Sequence, residues 1–195
     1  SIYDPDYSYS EYKNYKINTS WIQNIISNEQ NFKKFFFPLG LYSMRTHNLT
    51  NYDIILTSTT HCGKYITAKK NILVINYCYT PFRLAWNPES YNIYQKSSGI
   101  KKYILKIIIN ILKNVDYKYA QRANKYIAMT EETSGRIKKH YSFNKNIKII
   151  NPSINLDNYF ISQNIKNYYL VVSRLEKYKQ VDLVIETFNK LGYQL

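Results

Sequence analysis

Cysteine is nearly absent from this chain, with Cys62 and Cys78 alone among 195 residues. Two cysteines supply neither a disulfide framework nor a four-thiolate metal site, so the sequence predicts a reducing compartment and two ordinary buried thiols. Histidine is almost as scarce. His47, His61 and His140 stand in no HExxH-like spacing, which predicts no zinc site built by the protein. Glycine and proline number five each, while Asn, Lys, Ile and Tyr abound. Those four have AT-rich codons, so genome base composition is the ordinary explanation of the bias. Acidic residues are few, 13 against 27 basic, for a net charge of +14. Such a balance suits nucleic acid, an anionic membrane surface or a phosphorylated ligand. The lysines are scattered, densest at 96–106, with no run of five like charges and no zinc-finger, RNP or KH signature. Nucleic acid is therefore not an expected partner, whereas nucleotide phosphate and peripheral contact with an anionic membrane are. Long apolar runs are missing too. The stretch YILKIIINIL at 103–112 is interrupted by Lys106 and is too short to span a bilayer. The polar N-terminus SIYDPDYSYSEY does not read as a signal peptide. The expectation is a cytoplasmic protein, peripheral at the inner membrane face at most.

What is present is a globular composition, 45% hydrophobic and 16% aromatic, far from that of a disordered chain. Residues 20–40 carry apolar side chains at mixed helical spacing, interrupted by Pro38 and Gly40, and predict one or two short helices. The runs at 52–58 and 71–79 read as buried strands. A long helical pattern follows from about Ile100 to Ala123, then a short strand at 126–129 and a helix N-capped by Thr130. A further strand at 146–152 is stopped by Pro152. Residues 168–172 predict another buried strand, and Val181, Val184, Ile185, Phe188 and Leu191 a helix closed by Gly192. Strands alternating with helices predict an α/β class with a parallel sheet. The expected domains are 1–152, a connection at 153–166, and the start of a second domain at 167–195.

In open α/β sheets ligands meet the carboxyl ends of strands, and four stretches fall there. The first is 58–64, where Ser58 and His61 face a polar ligand or merely cap a helix. The second is 77–83 with Trp86. There Arg83 suits a phosphate or carboxylate and Tyr79 a stacked ring, the alternative being a packed aromatic loop. The third, 130–132, reads as a helix cap. In the fourth, 173–179, Arg174 and Lys179 could clamp a diphosphate whose charge grows as it departs, or could be solvated surface charges.

Taken in order, several segments resemble the family 4 glycosyltransferases (group 1, mannosyltransferase-like). SWIQNI resembles the family's T-S-F/W-L-Q segment, and YDIILTSTTHCGKYI its strand followed by S-S-H-A-x-A-K-G-V. NYCYTPFRLAW resembles Y-C-H-T-P-x-R-Y-x-W, and the stretch from Asp116 to Tyr141 resembles D-x-x-A-A-x-R-V-D-x-x-I-A-N-S with its following helix. NPSINLDNYF resembles P-P-V-D-x-x-x-F at the domain crossing, and residues 168–192 the first unit of the C-terminal domain. The resemblance covers nearly the whole chain. It implies a GT-B fold of two facing Rossmann-like domains. It also implies retaining, metal-independent transfer of a hexosyl group from a sugar nucleotide to a glycan or lipid-linked acceptor in polysaccharide synthesis. GDP-mannose is the first candidate donor, and no cofactor is implied. Arg174 and Lys179 would hold the donor diphosphate, while His61, Arg83 and Ser58 would line the sugar or acceptor side. Tyr79 stands where the family has a histidine beside the reacting sugar, and a phenol does not reproduce that donor geometry. The family's Gly-rich loop would lie before Ser1 and its paired glutamates beyond Leu195. On the resemblance the chain is thus expected to be a fragment, inactive by itself, and the alternative is an inactive remnant or non-catalytic binding protein.

Overall fold

The computed structural model describes residues 12, 14–25, 39–59, 62–175 and 179–195. The chain divides into two compact units, Ser1–Pro152 and Ser153–Leu195. The first is built on four strands: β1 (Ile54–Thr59), β2 (Leu73–Cys78), β3 (Lys125–Ala128) and β4 (Lys148–Ile149). All are parallel and lie side by side in chain order. The helices of this unit are at 39–45 (α1), Arg83–Trp86 (α2), Asn92–Gln95 (α3), Gly99–Ala120 (α4) and Glu131–Tyr141 (α5). The result is a Rossmann-like parallel α/β fold. The four expected strands are present within a few residues, and the last is short because it meets β3 only at Ile127 and Ala128. Of the helices expected in 20–40, a single 3-10 turn forms at Trp21–Asn24, and 26–38 lies outside the described residues.

Sequential strand order with right-handed crossovers places the connecting helices on one face of a sheet. Burial follows that rule with period two, since Val74, Asn76, Cys78, Tyr126 and Ala128 point into the core. Their neighbours across the pleat form the other face, where Ile54 and Leu56 are 59% and 65% exposed. Beneath the covered face, Tyr126, Ile137, Tyr141 and Phe143 pack with Ala120 and Ala128, both fully buried. Two alanines at this contact let the end of α4 approach β3 closely. Thr130 caps α5 as expected, accepting a hydrogen bond from the Thr133 N–H at 3.1 Å. Acidic Glu131 and Glu132 begin that helix and Lys138, Lys139 and His140 end it, in the sense its dipole favours.

In the second unit the helix is where periodicity placed it, α6 (Val181–Leu191), closed by Gly192 at φ 69°. The buried strand predicted at 168–172 does not form. These residues are irregular and open to solvent, with Val172 86% exposed. A strand exists through its ladder, and within the described residues of this unit no second strand offers one. Instead the Tyr169 N–H donates to the Gln194 carbonyl at 2.9 Å, and the Tyr169 ring packs edge-on to Phe188 of α6. An apolar β-branched run encodes a strand only where a sheet receives it.

Candidate functional site

The carboxyl ends of β1 and β2 are adjacent through the register Ser58↔Tyr77 and Thr59↔Cys78. Ser58 leaves β1 on the open face, and Tyr79 follows β2 on the same face by the two-residue period. Their hydroxyls meet at 2.8 Å. The Tyr79 N–H donates to the Thr59 carbonyl at 3.3 Å, and its own carbonyl accepts from the Thr133 hydroxyl at the start of α5. The Tyr77 ring stands edge-on to that of Tyr79 at 5.4 Å. Tyr79 is therefore fixed at backbone and side chain while 39% of it stays exposed.

Immediately beyond, the chain turns through Thr80 and Pro81 into α2. Arg83, the first residue of that helix, lines a cleft of about 260 Å³ with Trp86, Asn87, Arg136, Lys139 and His140. Three permanent cations surround this space. Arg136 is also paired with Glu132 at 2.6 Å on its own helix. His140 lies on the Trp86 ring at 4.7 Å. Burial first, then the cations Lys139, Arg136 and Lys113, hold its imidazole below the ordinary value of 6.5, against the pull of Asp116. The ring is thus neutral at physiological pH, and the cleft suits an anion.

Beneath the cleft lies a buried polar cluster. Lys64, on the 3-10 turn Cys62–Tyr65 after β1, is 2.8 Å from an oxygen of Asp116 in α4. That same oxygen accepts from Tyr65 at 2.5 Å, and the other accepts from Trp86 Nε1 and the Tyr141 hydroxyl, each at 2.8 Å. The Tyr141 hydroxyl in turn accepts from Lys64 Nζ at 2.7 Å. Burial and the Asp116 charge push the Tyr65 and Tyr141 phenols well above their usual range, so both stay protonated and donate. Every lone pair of the carboxylate is engaged, which is what a buried charge requires. Through Trp86 the cluster fixes one wall of the cleft.

Of the residues singled out from sequence, Ser58 and Tyr79 come together and Arg83 lines the adjoining cleft. His61 lies outside the described residues. Arg174 and Lys179 belong to the second unit and are exposed. Arg174 follows an irregular segment rather than the end of a strand, because the strand before it does not form. Among the described residues no group of His, Cys, Asp and Glu is placed to hold a metal ion. Sequence reading passed over Arg136, Lys139 and His140. Their signal was available: from a helix capped at Thr130, positions 136, 139 and 140 share one face. It also passed over Asp116, which falls in register with Ile109 and Leu112 on the core face of α4. A carboxylate on an apolar stripe implies a buried cation. No family model, no curated protein and no solved structure matches the chain.

Proposed function

We propose that the chain is a family 4 glycosyltransferase, moving a hexosyl group from a sugar nucleotide, GDP-mannose being the first to try, to the hydroxyl of a glycan or lipid-linked acceptor. The observation that carries this reading is that three separate segments of the resemblance meet in one cluster. Lys64 comes from STTHCGK, Trp86 from YTPFRLAW and Asp116 from the DYKYA segment, and all three join at one carboxylate. Above it, at the carboxyl ends of parallel strands, lie Ser58, Tyr79 and the cationic cleft at Arg83, which suit a sugar hydroxyl and the phosphate of an acceptor. Arg174 and Lys179 would hold the donor diphosphate and take up its growing charge on departure, which is charge stabilisation without acid–base work. The GT-B arrangement of two facing domains is part of the same reading.

A second reading, a non-catalytic binding protein, is favoured by Tyr79, whose hydroxyl is engaged by Ser58 where the family places a histidine. Titration calorimetry with GDP-mannose and other sugar nucleotides separates the two. Saturable binding that weakens about 10–100-fold on Arg174→Ala, the loss of one or two charge-assisted contacts, supports the transferase. Absence of binding by any sugar nucleotide overturns it and leaves the second reading.

A further inference from the structure

α4 is apolar on two sides. Its inner side buries Ile109, Leu112, Tyr119 and Ala120 against the rest of the first unit. Its outer side repeats isoleucine at 100, 104, 107 and 111, a spacing of four, three and four residues that keeps one stripe in line along a helix. These four are 80%, 51%, 45% and 56% exposed, and Tyr103 and Ile108 widen the stripe on its two sides. At 1.5 Å per residue it runs for about 16 Å. A solvent-facing helix side is normally polar, and an apolar strip of this length signals a surface that is covered when the protein works.

The charges around the stripe name the cover. No acidic residue stands between Glu89 and Asp116. At 100° per residue, exposed Lys101 and Lys106 fall on opposite flanks of the stripe, and exposed Lys118 continues its line beyond Ile111. Glu and Asp, which a water-facing or protein-facing helix of mixed charge would carry, are confined to its core side at Asp116, already paired with Lys64. Isoleucines bordered only by lysines match acyl chains bordered by anionic headgroups, with the lysine stems lying along the apolar surface and their ammonium groups at the phosphates. No helix among the described residues is long and apolar enough to cross a membrane, so the contact is one of lying on the surface. We propose that the outer face of α4 docks the protein on an anionic phospholipid bilayer, with Ile100, Ile104, Ile107 and Ile111 at the acyl boundary and Lys101 and Lys106 at the headgroups. Docking of this kind is independent of glycosyl transfer and stands or falls apart from it.

Co-flotation of the full chain with vesicles tests it. The chain rises with vesicles of phosphatidylcholine mixed with phosphatidylserine, rises less with phosphatidylcholine alone, and is released by salt. Ile104→Asp with Ile111→Asp lowers partitioning about tenfold or more, since each side chain loses its apolar contact and adds a repelled charge. Lys101→Ala with Lys106→Ala weakens binding to the anionic vesicles and leaves that to neutral ones unchanged. Both pairs replace exposed residues, so their melting temperatures should match that of the parent, and the lysine pair reads out even where the aspartates disturb the helix. Overturning results are a parent that stays unbound with anionic vesicles, and variants that float as well as the parent. A parent that light scattering finds dimeric, and that Ile104→Asp makes monomeric without loss of flotation, assigns the stripe to a second copy and also overturns it.

Discussion

Lys64 Nζ lies 2.8 Å from Asp116, and neither side chain reaches solvent. The pair joins the turn after β1 to the middle of the core face of α4, and Tyr65, Trp86 and Tyr141 complete it. Removing one partner strands a charge in a low-dielectric interior, and that cost exceeds what the intact pair contributes. Asp116→Ala should therefore destabilise the chain by about 3–5 kcal/mol, enough to unfold a domain of ordinary stability. Tyr141→Phe, which removes one donor and leaves the charge paired, should cost about 1–3 kcal/mol. Urea unfolding followed by circular dichroism measures both. An Asp116→Ala variant as stable as the parent would show that the cluster holds nothing together.

The exposed pair Arg136–Glu132 makes the opposite case. It is shorter, 2.6 Å against 2.8 Å, yet Glu132 keeps three quarters of its side-chain surface in water. Solvent screens it and two long side chains lose freedom to form it, so Arg136→Ala should change stability by less than about 1 kcal/mol. The same unfolding curves read it. A loss as large as that for Asp116→Ala would mean that Arg136 acts through the cleft rather than through Glu132.

Alternation of strand and helix in the sequence was enough to reach the parallel sheet, because each strand of the first unit is β-branched, apolar and bounded by turn residues. The cap of α5 was equally legible, since Thr130 and the two glutamates behind it act locally. What depended on distant partners was not legible. Residues 168–172 have the composition of β2 but no neighbouring strand, and composition does not report a neighbour. Ser58 and Tyr79 were each visible as polar residues at strand ends, while their contact came from the register between β1 and β2. The basic wall at Arg136, Lys139 and His140 looked like an ordinary helix C-terminus, and only the packing of α5 beside α2 turned it into one side of a cleft.

Both thiols should be inert in the native protein. Burial pushes Cys62 up to about 12 and Cys78 to about 11, with Lys64 opposing and Asp116 assisting in each case. The thiolate is the reactive form, so iodoacetamide at neutral pH should leave both unmodified in the folded chain and label both in urea. Mass spectrometry counts the adducts. Because the two flank the Lys64–Asp116 cluster, labelling in native buffer would report its opening. Asp116→Ala should make both thiols accessible at once.

Acid should weaken the fold through histidine. In the unfolded chain an imidazole takes up its proton near 6.5, whereas His140 resists it to lower pH because of burial and the cations Lys139, Arg136 and Lys113. His47, also half-buried, is lowered by burial as well. As pH falls below 6.5 the unfolded chain binds more protons than the folded one, so stability declines, and the decline ends once the folded-state imidazoles are protonated too. His140→Phe keeps a ring against Trp86 and removes the proton site, so part of the slope between pH 7 and pH 5 should disappear. An anion in the cleft of Arg83, Arg136 and Lys139 would favour the imidazolium and lift the His140 value. Inorganic pyrophosphate should accordingly raise the melting temperature more at pH 5.5 than at pH 8 in the parent, with the difference reduced in Arg83→Ala and lost in His140→Phe. Equal stabilisation at both pH values would place the anion away from His140.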